Sequence, residues 1–228
     1  MLYIVATPIG NLEDLSIRQA KTLLSCEYIL AEDTRSAGFL VEKITELFPQ
    51  VSSSHKPKLI SYYKEKEFEK LPEVMTLLRE NKDIALISEA GTPLISDPGS
   101  LLIKQVIKEN IPFTLIPGPS AVINAVVLAG FNMQHFLFMG FAPKKPSDLK
   151  KMIEQIQQIK SINVNISVVF YESPFRIHET LGIVEDQLPN CSIAICREMT
   201  KKFEEVVRGT PTELLQREYK GELTVVIA

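Results

Sequence analysis

The sequence has no tryptophan, and it has only three cysteines and three histidines among its 228 residues. Cys26, Cys191 and Cys196 form no CxxC pair and are odd in number. This pattern predicts neither a zinc knuckle nor a disulfide framework. The histidines are scattered and no GxSxG motif occurs, which argues against hydrolysis by a metal or a catalytic triad. We therefore predict no metal site.

An excess of basic residues is also missing. The chain has 25 Lys and Arg against 28 Asp and Glu, a formal net charge of -3. Free-standing RNA-binding proteins usually carry a basic surface, so this balance argues against general nucleic-acid affinity. Local lysine pairs remain, such as Lys144 with Lys145 and Lys201 with Lys202.

Long hydrophobic runs are absent as well. No apolar run approaches the roughly 20 residues of a membrane helix. The apolar residues 1–6 lack the basic region and the longer apolar stretch of a signal peptide. We therefore expect a cytoplasmic protein with no membrane contact. Its composition, 45% hydrophobic and 23% charged residues, is typical of an ordinary globular chain.

Short apolar runs alternate with stretches of helical periodicity in the first half of the chain. Apolar runs without polar alternation are typical of strands covered on both faces. The predicted strands are residues 2–6, 28–31, 58–61, 84–88 and 113–116. The predicted helices are residues 16–24, 36–47, 68–79 and 101–109. This rhythm predicts a parallel, layered α/β sheet, with residues 52–57 as a surface loop.

Two prolines and a glycine at 117–119 interrupt the pattern, since they continue neither a helix nor a central strand. The elements predicted after this break are helices 121–129, 147–159 and 175–188 and strands 136–141, 167–171, 193–197, 204–208 and 223–227. The last pair of runs are too close together for a helical crossover of full length, which favours a mixed sheet. We predict a two-lobed α/β fold, with an N-terminal lobe at 1–116, a C-terminal lobe at 117–228 and a cofactor cleft between them.

Four loops follow predicted strands at the position where open α/β folds bind ligands. They are TPIGN at 7–11, SEAGTPLISDPG at 88–99, PGPSA at 117–121 and FYESPFR at 170–176. The first is not GxGxxG, which argues against a dinucleotide. The second is longer than most βα connections, and its small residues permit a close approach of backbone to ligand. Two charged segments are AEDTR at 31–35 and REMTKKFEE at 197–205. Each is compatible with a functional role or with structural ion pairs alone.

Taken in order, these six motifs and a late GEL resemble the ribosomal RNA small subunit methyltransferase I family of the tetrapyrrole methylase superfamily. The resemblance runs from Leu2 to Val226. It implies a two-lobed α/β enzyme that holds S-adenosylmethionine in the cleft, usually as a homodimer. The implied reaction is 2′-O-ribose methylation of a cytidine in the decoding region of small-subunit (16S) rRNA, presented in the assembled subunit.

The resemblance also implies site residues. The cofactor contacts carried over are Pro8, Ile9, Ala90, Gly91, Thr92, Ile95, Ser120, Ala121, Tyr171 and Met199. The residues assigned to substrate are Asp33, Arg35, Lys145, Arg176 and Glu205. Apart from the resemblance, we assign Arg35, Arg176 and Lys201 to gripping the RNA backbone, because each supplies positive charge in or beside one of the motifs.

A ribose hydroxyl is a poor nucleophile, so a base must take its proton. The candidates are Glu89, Glu172 and Lys201, with Asp33 and Glu205 behind them, and the residues alone do not choose among these. Lys201 qualifies only if burial lowers its pKa.

Three features depart from the family pattern. Glu89 stands where the family usually has Asp, residues 61–65 lack a His-Asn pair, and the loop at 141–146 lacks an arginine after Lys145. Two alternatives therefore stay open. One is a small-molecule methyltransferase acting on a tetrapyrrole or a related acid, although the GxGPGD and GGDP loops of those enzymes are absent. The other is a non-catalytic, cofactor-binding partner in ribosome assembly.

Overall fold

The computed structural model describes residues 1–51, 55–131 and 134–228. Residue contacts divide the chain into two compact units, Met1–Ser120 and Ala121–Ala228. The prolines and glycine at 117–119 predict this boundary after residue 116. The intervening residues belong with the first unit, where the Thr92 hydroxyl donates to the carbonyl of Pro119 at 3.1 Å. Of the loop predicted at 52–57, residues 52–54 lie outside the described part of the chain.

The first unit is a five-stranded parallel sheet with helices on both faces. Its strands are β1 (Leu2–Val5), β2 (Tyr28–Ala31), β3 (Lys58–Ser61), β4 (Ile84–Leu86) and β5 (Phe113–Ile116). Its helices are α1 (Ile17–Ser25), α2 (Thr34–Leu47), α3 (Glu67–Arg79) and α4 (Ser100–Lys108), with a short 3-10 helix at Leu12–Asp14. The strand order is β3-β2-β4-β1-β5, and every pairing is parallel, which confirms the predicted class.

Local sequence explains where the first two helices begin. The side chain of Ser16 accepts from the amide of Gln19 while the side chain of Gln19 accepts from the amide of Ser16, a reciprocal capping box. Asp33 caps α2 by accepting from the amide of Arg35 at 2.7 Å. These caps fix the point at which the chain leaves the sheet edge after β1 and β2.

The helices form two layers, because the chain winds in both directions from the middle of the sheet. Helices α1 and α2 pack with Val5 and Ile29 on one face, and α3 and α4 pack with Leu2 and Leu86 on the other. The connection after β1 leads toward β2, whereas the connection after β4 crosses to β5. The carboxyl ends of the neighbouring strands β1 and β4 therefore form a topological switch point, where open α/β sheets bind ligands.

The second unit contains a mixed five-stranded sheet, as predicted. Its elements are α5 (Ala121–Ala129), β6 (Phe136–Phe141), α6 (Pro146–Ile162), β7 (Ser167–Glu172), α7 (Ile177–Gln187), β8 (Ile193–Arg197), β9 (Glu205–Gly209), α8 (Pro211–Leu214) and β10 (Leu223–Ile227). The order is β6-β7-β10-β8-β9; β6 and β7 pair in parallel, and β7 with β10, β10 with β8 and β8 with β9 pair antiparallel. Helix α8 was missed because four residues are too few to show periodicity, although a Thr210 and Glu213 capping box marks its start.

None of the helices in the described ranges is long and apolar enough to cross a membrane.

Candidate functional site

The loops after β1 and β4 are joined at the switch point. The amide of Thr7 donates to the carbonyl of Gly91 at 2.8 Å, and the amide of Gly91 donates back to the carbonyl of Thr7 at 3.1 Å. The buried hydroxyl of Thr7 also donates to the carbonyl of Ser88 at 3.3 Å. The first two sequence motifs therefore form one continuous backbone surface.

The loop after β5 joins the same surface. Besides the bond from Thr92 to Pro119, this loop passes close to α1 at Gly118. A Cβ atom on Gly118 would lie 2.2 Å from Nε2 of Gln19 and 2.9 Å from Cβ of Ala6. Only glycine fits here without displacing its neighbours, so the third motif owes its glycine to close packing.

Left-handed backbone is concentrated in the loop after β4. Gly91 has φ +82°, and a Cβ there would lie 3.2 Å from Cγ2 of Ile9. Leu94 and Ser96 both have φ 73°, a region that costs a residue with a side chain roughly 1–2 kcal/mol. Such strain persists where surrounding structure enforces it, commonly at binding and catalytic sites. The strained backbone of this loop therefore supports the hypothesis that the loop is part of a functional site.

Of the ten residues that the sequence assigned to the cofactor, those of the first unit line these joined loops. Pro8, Ile9 and Gly91 are buried, Thr92 and Ser120 are half-buried, and Ala90 and Ile95 are exposed. The hydrogen bonds just described bring the three loops together at one sheet edge. Contact with a cofactor stays a prediction for all ten.

Carboxylates line the neighbouring strand end. Oε1 of Glu89 accepts from the amide of Asp33 at 2.9 Å. Asp33 and the exposed Arg35 form a two-point pair, with Nε to Oδ1 at 3.0 Å and Nη2 to Oδ2 at 2.5 Å. The hydrogen bonds from Arg35 lower the pKa of Asp33 to about 2. Asp33 is thus held ionised beside Glu89, and the roles assigned to both residues stay predictions.

Two further acids at this edge escaped the sequence analysis. Burial, reinforced by the charge of Glu32, raises the pKa of Asp97 to about 6, although a hydrogen bond from Ser88 opposes the shift. Burial and the charge of Glu89 likewise raise the pKa of Glu32. Asp97 lies inside the SEAGTPLISDPG motif, and this position was the feature of the sequence that could have identified it as a site residue. Its closeness to Glu32 depends on the pairing of β2 with β4.

In the second unit, Glu172 and Arg176 bond to each other and to the fold. Nη2 of Arg176 lies 2.6 Å from Oε1 of Glu172, whose side chain is fully buried. The hydroxyl of Thr180 donates to Oε2 of the same carboxylate. Nη1 of Arg176 donates to the carbonyl of Pro143 at 2.9 Å. The roles predicted for Glu172 as a base and Arg176 as an RNA contact stay predictions, and this geometry favours structural roles instead.

The late charged motif is also internally paired. Nζ of Lys201 lies 3.2 Å from Glu198 and 2.9 Å from Glu222. Burial alone would lower the pKa of Lys201, but hydrogen bonds to these two carboxylates outweigh it, and the pKa is raised. The condition set for Lys201 as a base is therefore not met.

Glu205, assigned to substrate, is engaged in a comparable way. It pairs with Arg197 and Arg217 at 2.9 Å each.

The remaining assigned residues of the second unit differ in their surroundings. The ring of Tyr171 lies 5.0 Å from those of Phe138 and Phe141. Buried Met199 lies between Glu198 and Thr200, which both have positive φ. Within the described ranges, the buried hydroxyl oxygen of Thr200 has no hydrogen-bond partner.

A buried hydroxyl without a hydrogen-bond partner is costly unless a ligand or water satisfies it.

The last two assigned positions lie at the starts of helices. Ala121 begins α5, and exposed Lys145 precedes α6.

Within the described ranges, no group of three or more His, Cys, Asp and Glu side chains could hold a metal. The three cysteines are free and buried, and burial raises the pKa of Cys26 to about 12 and of Cys191 and Cys196 to about 11. Thiols protonated to that extent are poor nucleophiles.

Known proteins resemble the chain over almost its whole length. The family described as tetrapyrrole (corrin/porphyrin) methylases matches residues 1–215. A ribosomal RNA small subunit methyltransferase I from Hydrogenobaculum sp. is 39% identical over all of this chain and 95% of its own length. The protein of that name from Thermotoga maritima is 36% identical, again over all of this chain and 97% of its own.

Two solved structures share the fold. The uroporphyrin-III-C-methyltransferase of Thermus thermophilus superimposes with a TM-score of 0.61 at 19% identity, covering 99% of this chain and 93% of that one. The methyltransferase CobJ gives 0.70 at 13% identity, covering 100% and 93%. Sequence and fold agree: the chain belongs to the tetrapyrrole (corrin/porphyrin) methylase family, as a relative of the ribosomal RNA small subunit methyltransferases I.

Proposed function

We propose that this protein is an S-adenosylmethionine-dependent methyltransferase that acts on the 2′-hydroxyl of a cytidine in the decoding region of small-subunit rRNA. The observation that carries the proposal is the joined surface at the switch point, where hydrogen bonds from Thr7 and Thr92 tie together three glycine- and proline-bearing loops. The relatives named as rRNA methyltransferases, which match the whole chain, support RNA as the substrate.

The joined loops suit a cofactor of this kind. Gly91 lets the loops pack closely, since a Cβ there would lie 3.2 Å from Cγ2 of Ile9 and 3.5 Å from the carbonyl oxygen of Pro119, and the adjacent Ala90 is exposed to a ligand. S-adenosylmethionine supplies a methyl group on a positively charged sulfur, which needs no metal. On these loops of the first unit we place its contacts at Pro8, Ile9, Ala90, Gly91, Thr92, Ile95 and Ser120. The unpartnered hydroxyl of Thr200, next to Met199, is a further group that a ligand would satisfy.

Glu89 is the best-placed proton acceptor among the predicted bases. Glu172 and Glu205 are bonded to arginines, and Lys201 is held protonated by two carboxylates. Glu89 lies exposed on the joined loops, where the amide of Asp33 orients its carboxylate. A carboxylate held at hydrogen-bonding distance from a hydroxyl can remove its proton as the new bond forms, a contribution of about 100-fold or more.

The substrate is proposed to be presented in the assembled small subunit. An enzyme that reads a preformed ribosomal surface tolerates a net charge of -3 better than one that captures free RNA. We also propose a homodimer, supported by the exposed apolar side chains of Phe113 and Leu115 on the edge strand β5. Sedimentation of the purified protein tests the dimer.

The direct test is methyl transfer in vitro. Purified protein, tritiated S-adenosylmethionine and small ribosomal subunits from cells lacking the gene are incubated together, and the rRNA is digested to nucleosides. We expect label in 2′-O-methylcytidine from one fragment of the decoding region, and a Glu89→Gln variant that binds the cofactor normally but turns over at least tenfold more slowly.

Other outcomes of this experiment overturn the proposal. Label in another nucleoside contradicts the chemistry, and label only in an added tetrapyrrole supports the small-molecule alternative. Cofactor binding without transfer to any substrate supports the non-catalytic alternative.

A further inference from the structure

Two loops of the second unit emerge side by side. Strands β6 and β7 are parallel neighbours, so residues 141–146, from the end of β6 to the start of α6, and residues 173–176 after β7 lie at the same edge of the sheet. The amide of Ala142 donates to the carbonyl of Tyr171 at 2.9 Å, which continues the pairing into the first loop. We call these two segments the β6–β7 loop pair.

Arg176 links the two loops through hydrogen bonds and an ion pair. Its guanidinium donates to the carbonyls of Ala142 and Pro143 while it pairs with the buried Glu172. An arginine with its donors committed to backbone carbonyls and a buried carboxylate has little capacity left for a phosphate. The loop pair is therefore a fixed platform, and groups other than Arg176 must meet any partner.

Two phenylalanines stand out from this platform. Phe175 is 96% exposed, and Phe141 is 63% exposed even though one side of its ring packs against Tyr171. The backbone at Phe175 is nevertheless ordered, because its amide donates to Oγ of Ser173 at 3.3 Å and the next amide donates to the carbonyl of Ser173 at 3.0 Å. Phe175 thus presents a large apolar ring to solvent from an ordered turn, and exposed apolar groups that occur together commonly mark interaction sites.

Exposed lysines follow Phe141 in the chain. Lys144, Lys145 and Lys150 are exposed around the start of α6, and the charge of Glu172 is neutralised within the fold by Arg176. Further charged groups near the starts of the two following helices include Lys151, which lies 3.8 Å from Asp148, and the exposed Glu179 on α7. The platform thus combines exposed aromatic rings with a local excess of cations, in a chain whose overall charge is negative.

Exposed aromatic rings beside lysines match the chemistry of unpaired nucleotides. Bases that are not in a duplex stack on Phe rings, and the phosphates between them attract lysines. A protein partner would be suited by the rings but not by the cluster of lysines. Resting on the proposed function, we infer that the β6–β7 loop pair binds a single-stranded segment of the rRNA substrate. Phe175 and Phe141 stack on its bases, and Lys144 and Lys145 contact its phosphates.

The test compares Phe175→Ala with Phe68→Ala, since Phe68 is 82% exposed on α3 in the other unit and serves as a matched control. Loss of one stacked base corresponds to about a tenfold rise in KM for small ribosomal subunits. We expect that rise for Phe175→Ala alone, with the calorimetric Kd for S-adenosylmethionine unchanged in both variants.

The lysines have a separate readout. Lys144→Gln with Lys145→Gln should reduce the slope of log affinity against log salt by about 0.7 for each lysine, the single-strand value. Lys104→Gln with Lys108→Gln, both exposed on α4, should leave this slope unchanged.

The outcomes separate this inference from the proposed function. If wild-type protein methylates the subunits and Phe175→Ala behaves like Phe68→Ala, the RNA-binding surface lies elsewhere. If Phe175→Ala changes the sedimentation coefficient, the ring belongs to a contact between protein chains, which also overturns the inference. If wild-type protein transfers no methyl group to the subunits, the proposed function itself fails and the inference fails with it.

Discussion

Gly118 packs so closely against Gln19 that a Cβ atom at residue 118 would lie 2.2 Å from Nε2 of the glutamine. That nitrogen donates to the buried carbonyl of Ala6 at 2.8 Å. The loop after β5 and the end of β1 are thereby fixed to α1 by one fully buried side chain.

We expect Gly118→Ala to break this arrangement. Displacing Gln19 leaves the carbonyl of Ala6 without a partner, which costs about 1–3 kcal/mol of the free energy of unfolding. Urea denaturation measures the loss. The control is Gly182→Ala, because a Cβ atom on Gly182, within α7, would meet no other atom of the described residues within 4 Å. Alanine there should stabilise the helix by up to about 1 kcal/mol. Equal effects of the two substitutions would contradict the packing argument.

Gly91→Ala should affect the cofactor more than the fold. Its φ of +82° costs alanine roughly 1–2 kcal/mol, and the new methyl would press on Ile9 at 3.2 Å. Since Gly91 lies at the centre of the joined loops, we expect the Kd for S-adenosylmethionine to rise at least tenfold. Calorimetry measures this Kd, and thermal unfolding without the cofactor shows that the variant is folded. An unchanged Kd would place the cofactor away from this glycine.

Asp97 should impose a pH dependence on stability. Its pKa is raised to about 6 by burial and by Glu32, from an ordinary value of 3.8. The native state therefore holds the proton of Asp97 more tightly than the unfolded state. The free energy of unfolding that this proton contributes is fully present below pH 3.8 and is lost as the pH rises through about 6. Asp97→Asn should flatten this decline in the unfolding free energy between about pH 4 and 6.

The control for this titration is Asp186→Asn, an exposed aspartate on α7, which should keep the slope. Glu32→Gln should weaken the slope by removing the neighbouring charge. A slope that survives in Asp97→Asn would assign the titration to a different group.

Glu172→Gln should destabilise the second unit. The carboxylate is fully buried against Arg176 and Thr180, so removing its charge leaves the guanidinium without its counterion. Breaking a buried pair from one side costs about 3–5 kcal/mol, and the partial exposure of Arg176 brings our expectation down to about 2 kcal/mol. Guanidinium unfolding measures it. If the variant is as stable as wild type but transfers methyl groups much more slowly, Glu172 takes part in the chemistry after all.

Local sequence patterns determined most of the architecture. Uninterrupted apolar runs such as residues 28–31 must be covered on both faces, and this requirement alone predicts a parallel sheet between helix layers. The close spacing of the last strands predicted the mixed sheet, because no helical crossover fits between them. The loops at 7–11, 88–99 and 117–121 were identified from their glycine and proline content at strand ends.

Only the tertiary structure decided what the charged side chains do. Glu172 and Arg176 are four residues apart in the sequence, but the carbonyls that accept hydrogen bonds from Arg176 belong to the loop after β6. Asp97 meets Glu32 because β2 and β4 are neighbours, which no local pattern encodes. Hydrophobic periodicity is a property of consecutive residues and so can be read from a sequence. The pKa of a charged side chain and the partner of its hydrogen bond depend on residues that are distant in the chain and meet only on folding.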